Sequence, residues 1–442
     1  TKRINWKIIF TGAALLELFI VYKTATRGAI LGLIFGVLIF SLFSFIKSRG
    51  RIRKISGVIL ALSIAVPILF LSLKNSSFVK NSEVLNRFAT ISLSETTTQS
   101  RFIIWNMAYQ AWKDRPILGW GPESFVYVFS KYYDSRLWRQ EPWFDRAHNV
   151  FLDWLTSAGI LGLLAYLSIF GSTLMVLYKL HKRNILNPEL VGLCWGALLA
   201  YFIHNIFVFD NFSSYMIFFA LLSYWHFLYT NKANTGKTEL DDSISKSAVP
   251  FILRWGIMAV VIPASIFSLY SFNIKPILAA RSILDSLRLV TYSADGSRTR
   301  NLGEGIKTLE RGIGYDTFGT IEIREQLAQY AERIDRDPVT PKEDKIRFLS
   351  FALEQLKQQN ESFPYDIRAK AFLSTLYGLV GDRDSSILKA QECLAVSGQR
   401  QQFYFLLGEA YFKAGEEESA VKTMKAAYEL APEFPDAIHN YA

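Results

Sequence analysis

Six stretches of this chain, residues 28–46, 55–73, 154–178, 190–209, 211–231 and 255–274, run for about 20 residues each without an Asp, Glu, Lys or Arg. A helix rises ~1.5 Å per residue, so each is long enough to cross the ~30 Å hydrocarbon layer of a bilayer. Backbone in lipid must pair its own N–H and C=O groups, which makes a helix the fold these runs require. A seventh run, Ile8 to Tyr22, holds Glu17, a charge that lipid accepts only when it faces other helices or water. The chain is therefore expected to be all-α, a polytopic membrane helical bundle of about seven spans.

Composition fits two regimes joined in one chain. Over 442 residues, 50% are hydrophobic and 20% charged, a mixture in which a strongly apolar part is averaged with an ordinary one. The formal charge of +10 could suggest nucleic acid, but much of the Lys and Arg flanks apolar runs, so no nucleic-acid partner is expected. Cys194 and Cys393 are too few for a disulfide framework and lack zinc-ligand spacing. The chain opens on Thr1 with no secretion signal after it; the start reads as a cut or incomplete front end.

Orientation follows from the short connections, since Lys and Arg stay preferentially on the cytoplasmic side. Lys2, Arg3, Lys7, Lys47, Arg49, Arg51, Arg53, Lys54, Lys179, Lys182, Arg183, Lys232, Lys237, Lys246 and Arg254 fall on one side, against Lys23 and Arg27 in the opposite short turns. This places the N-terminus inside. Seven crossings then put outside the turn at Thr24–Arg27, a long loop over about 74–153, and everything from about 275 onward. The expected domains are a membrane domain over 1–274 and an extracytoplasmic domain over 275–442.

The last third is charged and helix-prone. Self-comparison at a 34-residue offset pairs Leu373 with Leu407, Tyr377 with Tyr411 and Gly381 with Gly415, and 34 residues is the tetratricopeptide period. Tyr404, Leu407, Gly408, Tyr411, Ala420, Ala427 and Pro432 resemble that pattern, with Ala352 and Pro364 one unit earlier. A tetratricopeptide-like helical solenoid is expected there, whose small residues let paired helices approach; such arrays bind partners or organise assemblies, and the ligand here, protein or glycan, stays open. Residues 300–335 look helical but match the repeat poorly.

A loop of about 80 residues between spans is longer than a connection needs, and such loops tend to carry function. Within it, Ser100 to Trp112 reads as an amphipathic helix near the headgroups, with Ser100 as N-cap and Ile104, Ala108, Ala111 and Trp112 on one face. It stops before Pro116, and Gly119-Trp120-Gly121-Pro122 forces a tight turn. The loop ends in Trp143-Phe144-Asp145-Arg146-Ala147-His148-Asn149, directly before a span. Arg27, Arg101, Arg146 and His148 thus converge on one membrane interface. A guanidinium fork suits phosphate oxygens, and an imidazole can accept a proton from a hydroxyl. The same residues also serve plain structural ends: arginines anchor spans, and a lone histidine packs.

Other features point elsewhere. His204 and His226 lie within spans, where a hydrogen bond to a neighbouring helix is expected, and His181 and His439 read as solvated. Asp382-Arg383-Asp384 has the spacing of a metal-nucleotide glycosyltransferase motif but falls at the turn between two repeat helices. No glycine-rich phosphate loop, no Gly-x-Ser-x-Gly elbow and no His-Glu-x-x-His occurs in the sequence, so neither a metal nor a cofactor is expected.

Several segments together resemble the O-antigen ligase and polymerase family of bacterial membrane glycosyltransferases: Thr24-Ala25-Thr26-Arg27-Gly28-Ala29, Arg101 through Trp105, Pro116 through Pro122, and His148-Asn149 followed by Gly159-Ile160-Leu161-Gly162-Leu163. The resemblance covers roughly residues 1–230. It implies a bacterial inner-membrane enzyme that moves a glycan from an undecaprenyl-pyrophosphate carrier to a glycan, lipid or protein acceptor at the outer face, with inversion and without a metal. By it, Arg27 and Arg101 hold the pyrophosphate and His148 is the catalytic base, with Arg146, Asn149, Trp105 and Trp120 around the substrate. The chain departs from the family in having about half of a typical member's dozen spans and an appended repeat array.

Three rival readings stay open. A protein O-oligosaccharyltransferase shares the donor and the chemistry. A non-enzymatic, membrane-anchored repeat scaffold needs no shared groove around the three residues. A transporter or flippase needs polar residues along a whole transmembrane path.

Overall fold

The computed structural model describes residues 6–90, 92, 95–140, 143–233, 251–290 and 301–442, and among these every regular element is helical. Lys2, Arg3, Lys237 and Lys246 of the charge pattern lie outside the described residues. The chain forms two compact units, one of Thr1–Phe129 and Gln140–Ile244, the other of Ser130–Arg139 and Ser245–Ala442. This division differs from a boundary at residue 274: the last long apolar helix and ten residues of the long loop go with the C-terminal unit.

In the first unit the order is α1 (Trp6–Thr24), α2 (Arg27–Lys47), α3 (Gly50–Leu73), α4 (Ser77–Lys80), α5 (Glu83–Ala89), α6 (Thr96–Asp114), α7 (Phe125–Lys131, its end in the second unit), α8 (Val150–Lys182), α9 (Pro188–His204) and α10 (Phe212–Ala233). Seven spans were expected, and among the described residues four helices are long and apolar enough to cross a bilayer: Arg27–Lys47, Gly50–Leu73, Val150–Lys182 and Trp255–Val290. The physical reasons for the difference are local. Lys7, Glu17 and Lys23 interrupt α1, α9 is a shorter apolar helix of 17 residues that stops at His204, and Ser, Tyr, His and Thr dilute the apolar content of α10.

Lipid tails are as apolar as leucine, so membrane helices associate through close packing rather than through expulsion of water. Helices α2 and α9 achieve this with small residues at four-residue spacing: Gly32 and Gly36 face Ala200 and Gly196, while Gly28 packs on His204 and Phe207 and Gly192 on Phe40 and Ser44. A Cβ added to Gly32 would lie 2.5 Å from the Ala200 carbonyl oxygen, and one on Gly196 would lie 2.4 Å from that of Gly36. The two backbones touch. This zipper sets Arg27, at the start of α2, beside the turn that follows α9, and His204 packs near Gly28.

Helix α8 is broken near its start, where Gly159 takes φ +64° and ψ −164°. The break frees backbone groups that the Pro116–Gly121 turn satisfies. Trp120 N–H donates to Thr156 O at 2.8 Å, Gly121 N–H to Ser157 O at 2.9 Å, and Ile160 N–H to Pro116 O at 2.8 Å. Helix α6 starts at Thr96 rather than Ser100, whose hydroxyl donates back to Thr96 O at 2.6 Å. Its apolar face, with Ile104, Ala108 and Ala111 at most 1% exposed, is buried inside the protein instead of lying on headgroups.

The second unit contains α11 (Phe251–Leu269), a π-helical turn (Tyr270–Ile274), and α12 (Lys275–Val290), α13 (Leu302–Gly314), α14 (Thr320–Arg336), α15 (Lys342–Ser362), α16 (Ile367–Val380), α17 (Arg383–Val396), α18 (Gln401–Ala414), α19 (Glu417–Leu430) and α20 (Pro435–Tyr441). Helices α16 and α18 start 34 residues apart and are each 14 residues long, as are α17 and α19. Gly381 and Gly415 end α16 and α18 in the left-handed conformation at φ +84°, and the next amide bonds Tyr377 O and Tyr411 O respectively at 2.9 Å. Asp382 caps α17 through Ser385 N–H, a structural use of that acidic pair. Loop residues 130–139 pack here: Trp138 stacks on Phe434 at 4.8 Å, Gln401 donates to Ser135 O at 3.0 Å, and Arg139 pairs with Glu433 at 3.0 Å.

Candidate active site

A half-buried carboxylate organises the turn after α9. Asp210 accepts hydrogen bonds from Tyr166 Oη at 3.0 Å, from Tyr201 Oη and from Ser214 Oγ at 3.0 Å, while Asn205 donates to Tyr166 Oη at 2.9 Å. Val150 N–H donates to Asn205 O at 2.9 Å, which ties the end of the long loop to this turn. The turn then lines two cavities of the first unit. Ile206, Phe207 and Val208 wall a cavity of about 770 Å³, while Phe209 and Asp210 wall one of about 220 Å³.

The larger cavity collects Arg27, Arg87 and Arg101 against one carboxylate, Glu95, with Trp105, Phe102, Leu31 and several threonines completing the wall. Arg27 holds Glu95 by a two-pronged ion pair at 2.6 and 2.7 Å and donates to Arg87 O at 3.1 Å. That hydrogen bond from Arg27 is the main reason Glu95 keeps its proton less readily than a free glutamate. Arg101, on the first turns of α6, makes no hydrogen bond or ion pair with the described residues. Burial first, then repulsion from Arg27, lowers its pKa, and Glu95 partly offsets this. Three guanidiniums facing one carboxylate leave surplus positive charge in a partly desolvated space, where it attracts an anion more strongly than in water.

The smaller cavity is lined by Arg146, Asp153, Trp154, Asp210 and Tyr215 among others. Arg146 pairs with Glu123 at 2.6 Å. Ala147 links the two cavities through its backbone: its carbonyl accepts from Trp105 Nε1 at 3.1 Å, and its N–H donates to Asp153 Oδ1 at 2.8 Å.

His148 follows directly, in the left-handed region at φ +52°, a conformation that side-chain-bearing residues adopt only where the surroundings hold them. Its ring lies edge-on to Phe144 at 5.7 Å and to Phe209 at 5.4 Å. It lines neither cavity. The structure therefore brings Arg27 and Arg101 into one cavity and sets His148 against Phe209, in the wall of the other.

The remaining expected residues divide. Trp105 lines the larger cavity and Arg146 the smaller. Asn149 caps α8, accepting from Phe151 N–H at 3.0 Å and Leu152 N–H at 3.2 Å, and Trp120 donates to Ala111 O at 2.7 Å while stacking under Arg115 at 4.1 Å. Neither of these lines either of the two cavities. Sequence reading passed over Glu95, Arg87, Asp153 and Asp210. No spacing signal marks the first three; the Tyr, Asp and Asn types around the short 205–211 turn are the one visible hint for Asp210.

Comparison with known proteins agrees with the front of the chain. Among curated proteins, none matches. A solved structure described as "MamA MSR-1 C2" is similar at 18% identity, over 38% of this chain and 98% of its own, with a TM-score of 0.26. Residues 12–167 match the family model described as Wzy_C, O-antigen ligase, a stretch that includes Arg27, Arg101 and His148. With its long apolar helices, the chain is an integral membrane protein whose residues 12–167 match the O-antigen ligase family, and that match supports membrane glycan transfer in general.

Proposed function

We propose that the protein transfers a glycan from an undecaprenyl-pyrophosphate carrier to an acceptor hydroxyl at the outer face of the bacterial inner membrane. The observation that carries this reading is the larger cavity, where three guanidiniums face one carboxylate and Arg101 has no partner among the described residues. Arg27 and Arg101 hold the pyrophosphate. The acceptor oxygen attacks the anomeric carbon from the opposite side, the bond to the pyrophosphate oxygen breaks, and its electron pair leaves as negative charge on the carrier. Preorganised cations at the point where that charge develops lower the barrier. His148, packed on Phe209 in the wall of the neighbouring cavity, takes the acceptor proton, and attack opposite the carrier inverts the anomeric centre.

The repeated hairpins of the second unit, with their 34-residue spacing, fit a tetratricopeptide-like partner-binding role outside the membrane. The test supplies membranes bearing the full chain with carrier-linked glycan and candidate glycan, lipid and protein acceptors, and analyses the products. Transfer that depends on Arg27, Arg101 and His148 supports the reading. Undiminished transfer in Arg101→Ala removes that arginine from the site, absence of transfer in wild type leaves an anchored scaffold, and a protein product in place of a glycan selects the oligosaccharyltransferase alternative.

A further inference from the structure

Glu95 occupies the place a phosphate group needs. Both of its oxygens take the Arg27 fork, Oε2 from Nη1 at 2.6 Å and Oε1 from Nη2 at 2.7 Å, the same parallel geometry that an arginine offers to two phosphate oxygens. Arg27's third polar atom, Nε, is buried without a partner among the described residues. Glu95 is also the N-cap residue of α6, yet its carboxylate accepts from the Thr98 hydroxyl at 3.5 Å and makes no capping bond to the helix amides. A helix start leaves N–H groups unsatisfied and favours negative charge nearby. The uncapped amides of that first turn therefore offer the carboxylate a second resting place close by.

We propose that Glu95 is an internal counter-anion, seated in the Arg27 fork when the cavity is empty, which the pyrophosphate group displaces towards the start of α6. This rests on the reading of the larger cavity as a pyrophosphate site. Its consequence concerns turnover. A pyrophosphate-bearing product held by two half-buried guanidiniums would leave slowly, and a carboxylate returning to Arg27 competes for the fork and speeds its departure. Glu95 thus sets donor affinity and product release without touching the reacting carbon, as a positioning residue.

The alternative is a permanent strut, in which Glu95 and Arg27 fix α6 to α2 and nothing displaces them. Calorimetric titration of the detergent-solubilised full chain with inorganic pyrophosphate separates the two. Under the proposal Glu95→Gln binds pyrophosphate roughly tenfold more tightly than wild type, because a neutral amide competes less well than a carboxylate for a cation. The same variant gives stronger pyrophosphate inhibition of transfer. Glu95→Asp, which keeps the charge but withdraws it by one methylene, gives a smaller gain and serves if the glutamine variant does not fold.

Unchanged or weaker binding in these variants, while wild type binds and Arg101→Ala does not, overturns the counter-anion role and leaves the site intact. Absence of binding in wild type overturns the pyrophosphate site itself, and this inference with it.

Discussion

Gly159 and Ile117 meet so closely that a Cβ on Gly159 would stand 2.2 Å from the Ile117 carbonyl oxygen. Gly119 makes the reciprocal approach, since its Cβ would stand 2.5 Å from Thr156 O, and both glycines have positive φ. The break in α8 and the turn after α6 are one interlocked structure. Gly159→Ala is expected to cost about 3 kcal/mol or more, from left-handed strain plus the clash, and to unseat the loop that carries Arg146 and His148. A thermal melt of the purified protein, with limited proteolysis of the loop, checks this; a wild-type melting curve and cleavage pattern would rule it out.

Substitution at the α2–α9 zipper reaches the site from inside the membrane. Gly32→Leu forces the backbones apart and moves Arg27 from the 206–208 wall, so it is expected to lower both stability and pyrophosphate binding. Leu33→Ala, one position along at a site 38% exposed on the apolar surface, serves as the control, with an effect of about 0.5 kcal/mol or less.

Removing one cavity cation separates binding from insertion. Arg27→Ala and Arg101→Ala are each expected to reduce transfer on the order of a hundredfold or more with normal membrane levels by immunoblot. Arg101→Lys keeps the charge and loses the fork, so intermediate activity is expected. Equal activity of the alanine and wild-type proteins would reduce these arginines to topology anchors.

His148→Ala is expected to lower transfer by about 10²–10⁴-fold, the usual contribution of a positioned base, while pyrophosphate still binds with wild-type affinity. A parallel fall in pyrophosphate affinity would instead assign His148 to packing between Phe144 and Phe209.

The second unit has its own pH dependence. Glu325, 5% exposed on α14, has its pKa pushed up to about 7, because burial outweighs the Arg368 guanidinium 3.4 Å away. Below its ordinary value of 4.5 both folded and unfolded forms are protonated. As pH rises towards about 7 only the unfolded form ionises, so stability falls across that window and levels off above it. Hydrogen exchange of Thr320–Arg336 in the full chain is expected to quicken more steeply in that range than in Glu325→Gln, and identical profiles would remove the effect.

Local physics made much of the helical framework legible. The apolar runs, the 34-residue spacing of Gly381 and Gly415, and the turn at Pro116–Pro122 each depend on neighbouring residues, and each appears where the pattern places it. The same local patterns overstated the spans, since Lys7, Glu17 and Lys23 in α1 and the short α9 change what a run of apolar residues amounts to. The glycines of α2 and α9 were visible as small residues four apart; only their facing each other gave them meaning.

Helix content and the kind of residue at the membrane interface were fixed by the sequence, because hydrophobic period and backbone hydrogen bonding act within a few residues. Which side chains share a cavity was decided by tertiary structure. Arg27 meets Glu95 across 68 positions, Trp105 reaches Ala147 across 42, and Asp210 gathers Tyr166 from 44 away. Such pairings depend on how helices pack and where α8 breaks, and no short-range rule carries that information.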